Sequence, residues 1–186
     1  MTDASSYAHA HGPPCVLRNG GMFMGLSTAM PKLANVWNTL RYLPCTTSML
    51  IVIWLMFVVE LFTHALGNQA MLLHLGALSH AGIVHSEYWR LLTYALLHSA
   101  WWHIGLNTFL LLVAGPVVER ASGAFSTLAI SIMGAVFGGM AVLLVHRGGS
   151  ASIEVGASGA FFALLGAGLV MTWVRSSPNV PRIYRR

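Results

Sequence analysis

Ser158 is the residue of this sequence best suited to covalent chemistry. It stands in Gly156-Ala157-Ser158-Gly159, at the start of an apolar run. A serine at a helix N-terminus, with glycines close by on both sides, exposes its hydroxyl beside backbone N–H groups that lack a helical acceptor. Those groups and the positive helix end can stabilise an oxyanion. The pattern indicates a serine nucleophile or, as the alternative, a packing motif of small residues.

His103 and Asn107 are the second pair of interest. They are four residues apart, so they share one face of a helix. Polar side chains are costly inside a membrane helix unless they have a partner or a function. One interpretation is a hydrogen-bonded packing pair. The other is a pair of donors for a developing negative charge, at the same depth as Ser158.

The elements that position these residues are membrane helices. The 186 residues are 56% hydrophobic and only 8% charged, with a mean hydropathy of +0.68. Soluble domains carry roughly 25% charged residues. The composition therefore predicts an all-α, polytopic membrane bundle with lipid as part of its solvent, and an integral, multi-pass membrane protein.

Four apolar runs are each close to the roughly 20 residues that a membrane span needs. We expect spans at residues 49–66, 101–118, 124–145 and 158–174. Thr46, Thr47 and Ser48 offer N-cap hydroxyls to the first span. Glu60 lies inside that span and must face protein. The domains expected are a loosely ordered segment over 1–45, a membrane domain over 46–174 and a basic tail over 175–186.

Residues 67–100 mix leucines with polar residues, which is typical of short amphipathic helices at the membrane interface. In the last two spans, small residues recur every fourth position and predict close packing: Gly134, Gly138, Gly159, Ala163 and Ala167. The two cysteines, Cys15 and Cys45, form no CxxC motif and are interpreted as free thiols.

The basic residues predict the orientation. Four spans place both termini on one side, which would hold eight basic residues: Arg18, Lys32, Arg41, Arg120, Arg175, Arg182, Arg185 and Arg186. The other side keeps Arg90 and Arg147. Basic residues favour the cytoplasmic side, so we expect both termini in the cytoplasm, for example of a bacterial inner membrane. No basic stripe is interleaved with aromatics, so nucleic acid is not an expected partner.

Metal or haem binding is the alternative from a different functional class. Several histidines fall near the expected outer face: His74, His80, His85, His98 and His103. Imidazole is a common metal ligand. The spacings are irregular and form no HExxH pair, so no metal or cofactor is expected.

Three motifs carry a resemblance to a known family. Residues 89–107 (WRLLTYALLHSAWWHIGLN) resemble the first loop and second helix of rhomboid intramembrane serine proteases. Residues 115–123 (GPVVERASG) resemble the turn that follows, and residues 156–166 (GASGAFFALLG) resemble the nucleophile motif. The resemblance covers residues 48–174, the first four of the family's six core helices.

The resemblance implies a role for each matching residue. Ser158 would be the nucleophile, and its N–H, His103 and Asn107 would form the oxyanion hole. The supporting residues that it implies are Gly156 and Gly159 of the nucleophile motif, Trp89 and Arg90 of the interface loop, Glu119 of a hydrogen-bonded turn after helix two, a structural histidine at His98, and Phe162, which would pack against the catalytic base. The implied activity is cleavage of membrane-protein substrates in or near a transmembrane segment.

The sequence departs from the family at the general base. The family uses a histidine on its sixth helix, whereas no histidine follows His146 here. A serine hydroxyl is a poor nucleophile without a base. Three interpretations stay open. The gene is truncated, split or mis-called, so that helices five and six lie elsewhere, for example in a second chain. The chain is instead a catalytically inactive rhomboid-like protein that binds transmembrane clients. Or a present histidine serves as base.

Overall fold

The computed structural model describes residues 42–145 and 153–176. In chain order the elements are α1 (Pro44–Phe62), α2 (Gln69–Leu75), β1 (Leu78–Ser79), α3 (His80–Val84), α4 (Arg90–Thr93), a 3₁₀ turn (Tyr94–Leu96), α5 (Trp101–Val145), β2 (Ile153–Glu154) and α6 (Ser158–Ser176). Helices α1, α5 and α6 are long and apolar enough to cross a membrane. The predicted all-α membrane bundle is confirmed, with one small strand pair added.

Helix α5 consists of two arms that meet at Gly123, whose backbone (φ 84°, ψ 167°) is not helical. A straight helix through all its residues would be about 67 Å long, roughly twice the ~30 Å hydrocarbon core. The arms instead fold back on each other, since both contact α1. Glu119 of the first arm binds Thr46, and Ser131 of the second arm lies 3.7 Å from the sulfur of Met49. The predicted break between the second and third spans is confirmed.

The start of α1 differs from the prediction. The helix begins at Pro44, with no side-chain cap at Leu43. Proline suits the first helical position because it has no N–H and its φ is already helical. The hydroxyl of Thr46 does not cap the helix but donates to Glu119 Oε2 at 2.6 Å. The predicted N-cap at residues 46–48 was therefore wrong, and the span is shifted toward the N-terminus.

Residues 63–100 connect α1 to α5 through short helices, as the sequence predicted. Asn68 caps α2 by accepting from the Met71 N–H at 3.2 Å. Gly76 ends α2 with a left-handed backbone (φ 112°), and a Cβ atom there would lie 2.8 Å from the Thr93 hydroxyl oxygen. Strand β1 pairs antiparallel with β2, which places the loop before Ser158 on this connecting segment.

Helix α6 packs against the second arm of α5 at the small residues. A Cβ atom on Gly134 would lie 2.5 Å from the Ala163 Cβ, and one on Gly159 would lie 2.9 Å from the Gly134 carbonyl oxygen. Only glycine permits this approach, which confirms the predicted close packing of these helices. Toward its other end, α6 brings Gly168 beside Val117 and Val118.

Two contacts show which helix ends lie at the same end of the bundle. Glu119 meets the start of α1 at Cys45, and Gly168 of α6 meets the neighbouring Val118. The first turn of α1 and the last turn of α6 therefore lie at the same end of the bundle. The predictions for Cys15, for the segment before residue 42 and for the tail after residue 176 fall outside the described residues.

Candidate active site

The site is built around Gly156, two residues before Ser158. Gly156 has a positive φ of 122°, which favours glycine. A Cβ atom there would lie 2.5 Å from His103 Nε2 and 3.7 Å from Asn107 Nδ2. Because a side chain would displace the histidine, glycine is required for both its backbone angle and its close approach. The structure thus brings the His103–Asn107 face of α5 against the turn that carries Ser158.

Two hydrogen bonds set the position of this turn. The Gly156 N–H donates to the Tyr94 carbonyl at 2.9 Å, and the Phe161 N–H donates to the Ala157 carbonyl at 3.0 Å. Helical hydrogen bonding thus begins at Ala157, and the N–H of Ser158 is among the first-turn donors that no helical carbonyl accepts. Ser158 is half-buried. Its N–H can therefore serve as an oxyanion donor beside its own hydroxyl.

The amide of Asn107 is, among the described residues, a buried polar group without a partner near this turn. Asn107 is 1% exposed, and within the described residues neither its Nδ2 nor its Oδ1 has a hydrogen-bond partner. Leaving a buried polar group unpaired costs about 1–3 kcal/mol. Such a cost is tolerated where the group has a functional role instead of stabilising the fold. The unpaired amide is therefore available to a ligand at Gly156.

The orientation of His103 is set by its neighbours. Its Nδ1 lies 3.4 Å from the Ser99 hydroxyl, one helical turn earlier. The Trp102 ring stacks on it at 5.4 Å between centroids, and the His98 ring meets it edge-on at 5.2 Å. These contacts leave Nε2 directed at Gly156. The imidazole can donate to an oxygen at that position.

Glu60 and His98 form a buried pair behind the site. Both are 0% exposed, and Glu60 Oε1 accepts the His98 backbone N–H at 2.7 Å. The expectation that Glu60 faces protein is confirmed. Burial, with a further contribution from His103, lowers the pKa of His98 to about 4. The imidazole of His98 is therefore neutral near pH 7.

Trp89 and Arg90 organise the connecting segment, where the hydrogen bonds of Arg90 among the described residues are made. Arg90 donates to the carbonyls of Leu73 and Ala77 at 2.7 and 2.9 Å, and to Glu87 at 2.6 Å. Its guanidinium lies 4.5 Å from the centre of the Trp89 ring. Arg90 therefore satisfies one carbonyl in the last turn of α2 and one just after that helix, and it holds this segment against α4.

The structure places two further residues of the resemblance, Glu119 and Phe162. Glu119 lies inside the first arm of α5 rather than in a turn after it, and it caps α1 by accepting from the N–H groups of Cys45 and Thr46. Phe162 is 60% exposed, whereas the adjacent Phe161 is buried. Gly159, by contrast, serves the helix crossing with Gly134.

Tyr94 is a residue at the site that the sequence alone did not indicate. Its carbonyl accepts the Gly156 N–H, and its hydroxyl donates to the Ala135 carbonyl at 2.7 Å. Burial, with the nearby Glu154 carboxylate, raises the pKa of the phenol to about 12, so it remains a donor. Tyr94 therefore joins the connecting segment, the second arm of α5 and the Ser158 turn. No local spacing signals contacts so distant in sequence.

Replacing Tyr94 with phenylalanine should destabilise the protein by about 0.5–1.5 kcal/mol, because the buried Ala135 carbonyl would lose the phenol and keep only its helical donor. The measurement is equilibrium unfolding in mixed micelles. Tyr88→Phe is the matched control, since that side chain is 62% exposed. Equal stability of the two variants would show that the bond from the Tyr94 hydroxyl adds nothing beyond the helical hydrogen bond.

The histidines considered for metal binding do not assemble into a site. Among residues 42–145 and 153–176, no group of three His, Cys, Asp or Glu side chains is close enough to hold a metal ion. His98 and His103 do meet, through their rings.

Comparison with known proteins identifies the family. The sequence model of the rhomboid domain matches residues 85–183, which is 99 of the 186 residues and more than half of the chain. The match contains His98, His103, Asn107 and the Ser158 turn. The chain belongs to the rhomboid family and is an integral membrane protein.

Curated relatives come from several kingdoms. The chain is 42% identical over 88 residues to RHOMBOID-like protein 9, chloroplastic, of Arabidopsis thaliana, covering 47% of this chain and 19% of that protein. It is 37% identical over 100 residues to rhomboid protease GluP of Bacillus subtilis, covering 54% of this chain and 19% of that protein. It is 34% identical over 93 residues to human rhomboid-related protein 3, covering 48% of this chain and 22% of that protein. This chain thus spans about a fifth of each relative.

Proposed function

We propose that this chain carries the nucleophile and the oxyanion hole of an intramembrane serine endopeptidase that cleaves membrane-protein substrates in or near a transmembrane segment. The observation that carries the proposal is the convergence of the unpaired Asn107 amide and His103 Nε2 on Gly156, two residues before Ser158. The relative named rhomboid protease GluP supports this activity. The substrates are transmembrane proteins, and lipid is the surrounding medium.

The proposed reaction begins when Ser158 Oγ bonds to the scissile carbonyl carbon and its proton passes to a general base. The carbonyl oxygen becomes an oxyanion, held by the Ser158 N–H, His103 and Asn107. The intermediate collapses when the C–N bond breaks and the amine takes the proton from the base. Water then hydrolyses the acyl-enzyme and frees Ser158.

The proposed base is a histidine outside the described helices. His98 is a poor candidate because its pKa is lowered to about 4, and an effective base has a pKa near the working pH. His103 is directed at the oxyanion position instead. A further helix, in a longer form of this chain or in a second chain, would reach Ser158 along the exposed side of α6 that carries Phe162. A protein that binds transmembrane clients without cleaving them is the alternative.

The covalent step can be tested with a fluorophosphonate probe. The 186-residue chain alone should label weakly at Ser158. Addition of a rhomboid helix pair bearing its histidine should raise the labelling rate by about 10²–10⁴, the usual contribution of a general base. Labelled peptides identified by mass spectrometry give the site and the rate.

Two variants control this experiment. Ser158→Ala should abolish labelling, whereas Ser122→Ala should not, because that hydroxyl donates to the Val118 carbonyl at the other end of the bundle. Strong labelling of the chain alone, lost in Ser158→Ala, would show that a histidine of this chain is the base. Weak labelling that the helix pair does not increase would favour the client-binding alternative.

We further propose that both termini face the cytoplasm. The support is the eight-to-two distribution of basic residues, together with the common end of the bundle shared by the start of α1 and the end of α6. Arg120 and Arg175 then face the cytoplasm, while Arg90 faces the other side.

Cysteine labelling tests this orientation. In a Cys15→Ala, Cys45→Ala background, Ala81→Cys should react with an impermeant maleimide in intact cells, whereas Ser176→Cys should react only after permeabilisation. Both positions are exposed. The reverse pattern would invert the orientation.

A further inference from the structure

Residues 97–100 form a short irregular link between the 3₁₀ turn and α5. Leu97 is extended (φ −90°, ψ 149°). Helical hydrogen bonding starts at Ala100, whose carbonyl accepts the N–H groups of His103 and Ile104 at 3.1 and 3.2 Å. The position of His103, in the first turn of α5, therefore depends on where the link is fixed. His98, in the middle of the link, belongs to neither helix, so its buried N–H needs an acceptor from elsewhere in the chain.

The last turn of α1 fixes this link. Glu60 Oε1 accepts the His98 N–H at 2.7 Å, and both residues are 0% exposed. Because the bond is short and buried, water does not compete for it. One turn earlier on α1, the Phe57 ring meets the Trp101 ring edge-on at 4.8 Å between centroids. Helix α1 thus contacts the chain at residues 98 and 101, just before His103.

The imidazole of His98 is held by packing rather than by hydrogen bonds. Within the described residues, neither of its ring nitrogens has a hydrogen-bond partner. Its ring meets the His103 ring edge-on at 5.2 Å. The position of the His98 ring is therefore set by its own backbone, which Glu60 holds. A shift of that backbone would move the surface against which the His103 imidazole packs.

Ser99 is the second contact between the link and His103. Its hydroxyl lies 3.4 Å from His103 Nδ1. A neutral imidazole carries its proton on one nitrogen, and the hydrogen bond made by the other nitrogen decides which form is present. When the Ser99 hydroxyl donates to Nδ1, the proton is on Nε2, the nitrogen directed at Gly156. In that form His103 can donate to an oxyanion.

We propose that Glu60 is a positioning residue for His103. By accepting the His98 N–H, it fixes the His98 ring and the Ser99 hydroxyl, which together hold the His103 imidazole with a protonated Nε2 toward Gly156. The effect on catalysis rests on the function proposed above, whereas the orientation and the tautomer of His103 do not.

The tautomer is tested without catalysis, by ¹⁵N spectra of the histidine rings of the full chain in micelles. The spectra are recorded at about pH 8, above the usual histidine pKa of about 6.5, and His103→Gln assigns the His103 signals. The parent chain and Glu60→Gln, whose amide keeps an acceptor oxygen, should show His103 protonated at Nε2. Glu60→Leu and Ser99→Ala should show a mixture of both tautomers. A parent protonated at Nδ1, or an unchanged spectrum in either of these two variants, would overturn the proposal.

The effect on catalysis is measured as the rate at which the fluorophosphonate labels Ser158 in the presence of the helix pair. Glu60→Leu should lower this rate by about 10²-fold, the effect of a misplaced group. Ser99→Ala should lower it by about 2–10-fold, equivalent to one neutral hydrogen bond. In a His103→Ala background, Glu60→Leu should change the rate by less than about threefold, because the side chain that it positions is absent.

Glu119 provides the control for a loss of stability alone. Among the described residues, Glu60 and Glu119 are the two buried carboxyl side chains, and Glu119 binds the opposite end of α1. Glu119→Ala should change the rate by the same factor with and without His103. If Glu60→Leu behaved in that way, its role would be general stability and the proposal would fail. If the parent chain failed to label with the helix pair, the proposed function would be wrong, and the ring spectra would still decide the role of Glu60.

Discussion

The 186-residue chain should leave a model transmembrane substrate uncut over hours, and a rhomboid fifth and sixth helix that carries its histidine should restore cleavage. Attack by a serine hydroxyl requires removal of its proton, and a general base contributes about 10²–10⁴ in rate. The proposed oxyanion donors cannot replace that transfer. Cleavage by the chain alone that disappears in Ser158→Ala would contradict this prediction.

Asn107 provides the sharper test within the restored system. Its amide has no partner within the described residues, so Asn107→Leu should leave the free energy of unfolding unchanged or raise it. The same variant should lower kcat by about 10²–10³, the usual cost of removing one oxyanion donor. The opposite result, lost stability with activity retained, would identify Asn107 as a packing residue.

The sequence predicted which residues meet at the Ser158 turn better than it predicted the residues that support them. His103, Asn107 and Ser158 could be placed together because spans begin and end where apolar runs do, and helix ends at one membrane surface share a depth. Gly156 adds what the motif could not show: a Cβ atom there would collide with His103. Glycine is therefore required at position 156 because of the side chain of His103, which lies 53 residues earlier in the sequence.

The supports were missed because they join residues distant in sequence. Tyr94 and Gly156 are joined by a hydrogen bond between backbone atoms, so the residue types at these positions do not reveal it. The Glu60 carboxylate was expected to be buried, but its partner is the backbone N–H of His98, which any residue could supply. Periodicity reports which face of a helix is buried, and not what that face touches.

The start of α1 was mispredicted for a related reason. Three hydroxyl residues after Pro44 resembled an N-cap, yet proline at the first helical position was the stronger local signal. The acceptor for the free N–H groups comes from Glu119, 73 residues after Thr46. A cap supplied by another helix cannot be read from the local sequence, although the conformation of Pro44 can.

Replacing Glu119 with alanine should destabilise the protein by about 1.5–3 kcal/mol or more, because a hydrogen bond to a charged group is worth that much and several are lost together. Its carboxylate accepts from the Cys45 N–H, the Thr46 N–H and the Thr46 hydroxyl at 2.8, 2.8 and 2.6 Å. It also lies at the positive end of α1, where a negative charge is favoured. The loss leaves three donors unpaired in a buried setting.

Equilibrium unfolding in mixed micelles measures this effect, with Arg120→Ala as the control because that neighbouring side chain is exposed. Glu119→Gln should fall between the two, since an amide keeps one acceptor oxygen. A double-mutant cycle with Thr46→Val isolates the contact between the hydroxyl and the carboxylate. If Glu119→Ala were as stable as Arg120→Ala, water or lipid headgroups would have to replace the carboxylate, and the first turn of α1 would lie in the headgroup region rather than in the bundle.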